Sequence, residues 1–191
     1  MTKRIDAIRL GAVVLFLCGA SACGGAVNPG GPASGGCTVT IGGAVTTSYT
    51  GCSASAATST SSPGNIAFAI TGTGGPGSTA GDSFEVGLVI PGSSLSTGTY
   101  SASNVTQAGV TFTQSGTTAW LASQNATTPN QGAFTLNVTS TGGTVGASGV
   151  TDWPYPVGGL SATLEPQSGA TGTVTVQVAF NGGTAPSIPT P

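Results

Sequence analysis

Between residues 37 and 180 segments with apolar residues at every second position recur, and this alternation limits what the chain can fold into. A period of two places successive side chains on opposite faces of an extended strand, whereas a helix needs apolar residues at i, i+3 and i+4. Four segments carry the pattern most clearly: Ile66/Phe68/Ile70, Phe84/Val86/Leu88/Ile90, Phe134/Leu136/Val138 and Val174/Val176/Val178/Phe180. The residues between them are mostly Thr, Ala, Asn or Gln, which suits a face turned to water. Weaker alternation extends the set, predicting strands over 37–41, 45–50, 66–71, 83–90, 99–102, 110–113, 118–122, 133–139, 160–164 and 173–180. Turn signals separate them, among them Gly72-Thr73-Gly74-Gly75-Pro76-Gly77, Pro91-Gly92, Gly142-Gly143 and Ser168-Gly169. Many short strands, each apolar on one side, predict an all-β domain: an antiparallel β-sandwich, Ig-like or jelly-roll-like, with a closed β-barrel as the alternative. A transmembrane barrel fits less well. Its strands run about 9–11 residues with aromatic girdles, whereas most segments here are shorter and aromatics are only 6%.

Charge narrows the chemistry. Only 4% of the 191 residues are charged, and there is no His. The three basic residues, Lys3, Arg4 and Arg9, all lie ahead of an apolar run at 10–18. Beyond that run the chain carries the carboxylates Asp82, Glu85, Asp152 and Glu165 and no cationic side chain. Nucleic-acid binding draws most of its affinity from Lys and Arg on phosphates, so no nucleic acid is expected as a partner. His-assisted Ser or Cys catalysis, a Ser–Lys dyad and a phosphate-binding Lys loop all lack a required residue. No cofactor is implied.

The first 23 residues form an ordered series. A charged stretch comes first, then Leu10-Gly11-Ala12-Val13-Val14-Leu15-Phe16-Leu17-Cys18, then Gly19-Ala20-Ser21-Ala22, then Cys23. The apolar run is too short to span a bilayer, which takes about 20 residues, and its flanks are those of an export signal. The series resembles the lipobox of bacterial lipoprotein precursors, although Ala20 stands where Leu is commonest. The resemblance implies cleavage after Ala22 and a diacylglycerol-modified Cys23 that anchors the protein to a lipid bilayer. It also implies outer-membrane placement in a host with two membranes, because Gly24 rather than Asp follows the anchor. An ordinary secretory signal with a free Cys23 is the plainer alternative. Residues 24–36 are dominated by Gly and Pro, as a flexible tether would be. The expected organisation is signal peptide 1–22, lipidated Cys and tether 23–36, β domain 37–181, and an extended, mobile Pro-rich tail 182–191.

With Cys18 inside the signal and Cys23 taken by lipid, Cys37 and Cys52 remain as the available pair. Export favours a disulfide between them. They bracket an apparent hairpin turning at Gly42-Gly43, and closing that loop is worth about 3 kcal/mol. A metal site at these thiolates would need two further ligands.

The later half of the chain also resembles small Gram-negative lipoproteins of uncertain function. The likeness rests on Trp120 before Ala122, Phe134-Thr135-Leu136-Asn137-Val138, Gly159-Leu160-Ser161-Ala162-Thr163-Leu164-Glu165-Pro166, and Gly172-Thr173-Val174-Thr175-Val176. It implies no activity.

One segment stands out as a candidate ligand-binding site: Asp152-Trp153-Pro154-Tyr155-Pro156. Two prolines stiffen a loop bearing two rings and a carboxylate, the components of a platform on which a sugar can stack. The competing expectation is a Trp that plugs one end of the β domain. Trp120, alternating with Thr118 and Ala122, is expected in the core. Catalysis by paired carboxylates, as in glycosidases, is the remaining enzymatic alternative. Its closest candidates, Asp82 and Glu85, have an odd offset and so point to opposite faces of a strand. The functional expectation is therefore a non-catalytic envelope or surface module, binding or structural, with a glycan or an envelope protein as partner.

Overall fold

The clearest alternating segments are strands, and they pair with one another. The computed structural model describes residues 36–60, 62–73, 81–125, 128–147, 150–167 and 169–190. Strands β4 (Asn65–Thr73) and β5 (Ser83–Pro91) form an antiparallel pair, and β7 (Gln107–Gln114) adds to the other edge of β5. Their registers set like against like: Ile66 faces Ile90, Phe68 faces Leu88, Ile70 faces Val86, and Phe84 faces Phe112. All eight side chains are 3% exposed or less. Pairs of this kind stabilise a sheet both by cross-strand contact and by burial, at about 1.5–3 kcal/mol for each large apolar side chain removed from water.

This trio lies within one run of strands. On its far side come β3 (Ser53–Thr58), β12 (Val150–Trp153) and β11 (Val145–Ala147); on its near side come β8 (Thr118–Asn125) and β9 (Thr128–Gln131). A second run contains β6 (Gly98–Ser101), β10 (Ala133–Ser140), β13 (Val157–Pro166), β14 (Val174–Phe180), β1 (Thr38–Gly43) and β2 (Thr47–Thr50) in that order. The runs are joined where Leu121 and Trp120 of β8 pair with Glu165 and Pro166 of β13. Every strand pairing is antiparallel. The result is a single sheet that curls so that its runs face each other. Phe68 of β4 meets Phe180 of β14 at a centroid distance of 5.9 Å, and Tyr49 of β2 meets Phe112 of β7 at 6.5 Å. The all-β, antiparallel expectation holds. Among the described residues no helix is long and apolar enough to cross a membrane.

The corner between the runs depends on Gly132. Strands β9 and β10 are nearly continuous, but β9 pairs with β8 and β10 pairs with β13. The chain changes partner at Gly132, which has φ 60°. A Cβ there would collide with the carbonyl oxygen of Thr163 and crowd Ala122. Both the left-handed backbone and the close approach of three strands call for glycine.

Several strands fall outside the expected set. β3 has the sequence Ser-Ala-Ser-Ala-Ala-Thr, so its alternation rests on Ala54 and Ala56 alone. Its small residues are complements to large ones: Ala56 lies between Phe68 of β4 and Trp153 of β12 in register. Strands β9 and β11 are short and were not expected either, and β12 takes up part of what was read as a loop. Residues 74–77 of the expected Gly72–Gly77 turn lie outside the described residues, while β4 itself continues through Thr73.

Candidate functional site

Strand β12 is built from Val-Thr-Asp-Trp, and alternation on it sends Asp152 and Trp153 to opposite faces. Its backbone pairs with Ala57 and Ala56 of β3, and the Thr151 amide donates to Thr58 Oγ1 at 3.0 Å. Trp153 points inward and is 1% exposed, among the largest fully buried side chains. Its ring occupies the space opposite Ala56 and offers no face to a ligand. Asp152 is half-buried on the outer side, and Tyr155 is 44% exposed. The loop carrying Tyr155 is held down by Asn181, whose Nδ2 donates to the Pro156 carbonyl at 2.7 Å. The platform expected from Asp152, Trp153 and Tyr155 is therefore corrected. Trp153 is core, and the outside keeps one ring rather than two, because strand formation at 150–153 commits the Trp to the interior.

Trp120 is also interior. It is 2% exposed, stacks on Phe112 at 5.5 Å and donates from Nε1 to the Gly172 carbonyl at 3.0 Å.

The four carboxylates are spread apart. Asp82 is 4% exposed on the inner side, and its Oδ1 accepts the Ser115 amide at 2.9 Å, which anchors the turn between β7 and β8. Glu85, Thr111, Leu121 and Glu165 form a cross-strand row on the outer face. Three inter-strand steps of about 4.8 Å place Glu85 and Glu165 about 14 Å apart. Asp152 belongs to a different outer row, with Ala57, Ala67 and Val89. Two-carboxylate glycosidases hold their groups about 5–10 Å apart, and no pair placed on the outer face by these registers meets that spacing. Among the described residues no group of three His, Cys, Asp or Glu side chains could hold a metal ion.

Cys37 and Cys52 are joined as a disulfide with Cα atoms 5.0 Å apart. The bridge ties the start of β1 in one run to the start of β3 in the other, and a Cβ built on Gly72 of β4 would lie 3.3 Å from the Cys52 Cβ. Cys23 lies outside the described residues.

One buried polar group escaped the sequence. Tyr49 is 1% exposed, and its hydroxyl has no hydrogen-bond partner among the described residues. Burial pushes its phenol well above the usual tyrosine range, and the charge of Asp82 adds to the effect. Nothing in the sequence signalled the carboxylate near it.

Compared with family models, with curated proteins and with solved structures, the chain matches none of them.

Proposed function

We propose that this chain is the precursor of an exported bacterial lipoprotein, anchored in the cell envelope through acylated Cys23, with a β domain that acts as a non-catalytic binding or structural module. The observation that carries the proposal is the order of the first 36 residues: all three basic side chains, then a short apolar run, then small residues and Cys23, then a Gly/Pro tether. A disulfide at Cys37 and Cys52 supports it, because such bridges persist in oxidising compartments. Gly24, standing after Cys23 where an Asp would retain the protein in the inner membrane, favours the outer membrane where the host has two. We read the curled sheet more finely as two packed halves of a β-sandwich, a reading supported by the Phe68–Phe180 and Tyr49–Phe112 contacts between its runs.

The glycan-active enzyme is the weaker proposal, given an outer face whose carboxylates stand about 14 Å apart. A glycan or an envelope protein remains the proposed partner class, but not through a stack on Trp153. Intact-mass analysis of the membrane fraction tests the anchor. The expected chain begins at Cys23 and carries acyl mass, and Cys23→Ser releases the protein into the soluble fraction. Membrane association unchanged by Cys23→Ser would refute the proposal.

A further inference from the structure

Strand β13 differs from every neighbour in being buried on both faces. Its inward residues Leu160, Ala162 and Leu164 are core, but its outward residues Ser161 and Thr163 are also only 0% and 6% exposed. Their cross-strand partners on the same outer face are open or half-open: Gln177 beside Ser161 is exposed, and Thr175 beside Thr163 is half-buried. The cover is thus about one strand wide, and it consists of residues 183–190.

The contacts run in register along β13. Gly183 lies against the backbone of Gly158, and Thr184–Ala185 lie against Gly159. Ser161 Oγ donates to the Pro186 carbonyl, and Thr163 Oγ1 donates to the Pro189 carbonyl at 2.5 Å. Both segments ascend together, so the tail runs parallel to the strand beneath it. Five residue steps along the strand from Gly158 to Thr163 span about 17 Å, and six steps from Gly183 to Pro189 span about 19 Å at the rise of an extended proline-type helix. The lengths match only if the tail is extended.

Two features of the groove define its ligand. At Gly159 a side chain would strike the backbone of the tail at Thr184 and Ala185, so glycine there lets another chain lie flat on the strand. Beyond it the groove offers hydroxyl donors, which call for carbonyl acceptors. Proline supplies a carbonyl and has no N–H to leave unpaired against a closed surface. Pro186 and Pro189 are three residues apart, the repeat of a polyproline helix, so their carbonyls can face the same side. Both are half-buried, while Ser187 and Ile188 between them are exposed.

We propose that the outer face of β13 is a docking groove for an extended Pro-x-x-Pro peptide, and that this chain's own segment 183–190 is the resident occupant. The tail competes in cis for any such peptide from another chain. This proposal does not depend on lipidation.

A fluorescent peptide of sequence Gly-Thr-Ala-Pro-Ser-Ile-Pro-Thr-Pro tests it, titrated into the full chain in detergent and into a variant ending at Gly182. The truncated protein is expected to bind. The full chain is expected to bind at least about tenfold more weakly, since a tethered competitor acts at millimolar effective concentration. Gly159→Val in the truncated protein should abolish binding. Equal binding by the truncated protein with and without Gly159→Val would overturn the proposal, as would no binding by a truncated protein whose β-sheet circular dichroism is intact. Should truncation unfold the domain, NMR on the full chain decides. The Ala185 methyl should be restrained in the wild type and mobile in Gly159→Val; equal mobility in both would overturn the groove.

Discussion

The curled sheet is joined at two margins, and the joins are unlike. At the β8–β13 margin the runs are continuous through main-chain pairing, with Leu121 opposite Glu165 and the chain switching partners at Gly132. At the other margin the edge of one run, β1 and β2, is linked to the other run by the Cys37–Cys52 bridge at the start of β3 and by packing of Tyr49 against Phe112 of β7. The first join is made of hydrogen bonds that any folded copy has in any compartment. The second is covalent and depends on where the chain oxidises. A protein built this way should keep its corner when its clasp is opened, and lose both when its corner is blocked.

Blocking the corner is the most severe test. Gly132→Ala must hold a left-handed backbone, at about 1–2 kcal/mol, and drive a methyl into the Thr163 carbonyl, where overpacking adds about 1–3 kcal/mol. Chemical denaturation should show a loss of about 4 kcal/mol. A loss under about 1 kcal/mol would mean that the strand exchange at Gly132 is not what sets the corner.

Opening the clasp should cost less and act locally. Cys37→Ser with Cys52→Ser removes a bridge across a separation of 15 residues, and the expected loss is about 3 kcal/mol. Amide exchange should localise it. Protection is expected to fall at Thr47–Thr50 and to persist at Leu121 and Glu165. Uniform loss across both margins would show one cooperative unit, and the contrast drawn between them would be lost.

The same two margins separate what was legible in the sequence from what was not. Strands with bulky alternation, such as Phe84/Val86/Leu88/Ile90, were visible because each apolar residue announces its own burial. The Cys37–Cys52 pair was visible because the other two cysteines had been assigned elsewhere. β3 was hidden because Ala54 and Ala56 bury little by themselves and matter only opposite Phe68 and Trp153, which is a property of pairing. Gly132 was one glycine among 33, and its role appears only when β8, β13 and the β9–β10 strand converge on it. Trp153 was read either as half of a platform or as a plug in the β domain, because its prolines suggested a loop; alternation through Thr151 and Trp153 continues a strand into the core, as the plug reading requires. The tail at 182–190 has the composition of a mobile end, and its contacts depend on the hydroxyls of Ser161 and Thr163 and on Gly159 of β13, which carry no pattern of their own.

The smallest effect sharpens the comparison at the clasp margin, through Tyr49 on β2. In the fold its phenol is pushed upward by burial first and by Asp82 second, while in the unfolded chain tyrosine ionises near pH 10. Below about pH 10 both states keep the proton, and stability is independent of this group. As pH rises further, the unfolded chain releases the proton and the folded one retains it. Stability should then fall by about 1.4 kcal/mol per pH unit until the folded phenol also ionises. Tyr49→Phe removes the group that ionises. Because the hydroxyl has no hydrogen-bond partner among the described residues, the substitution should change stability by no more than about 1 kcal/mol at pH 7. Denaturation midpoints of wild type and Tyr49→Phe, followed from pH 8 to about pH 11.5, should run together up to the range where tyrosine ionises and diverge above it, with the wild type falling faster. The corner should be indifferent to this change, since no tyrosine takes part in the Leu121–Glu165 and Trp120–Pro166 pairs. Curves that stay parallel to pH 11.5 would mean that Tyr49 reaches water in the native state and that the clasp margin opens without reduction of its disulfide.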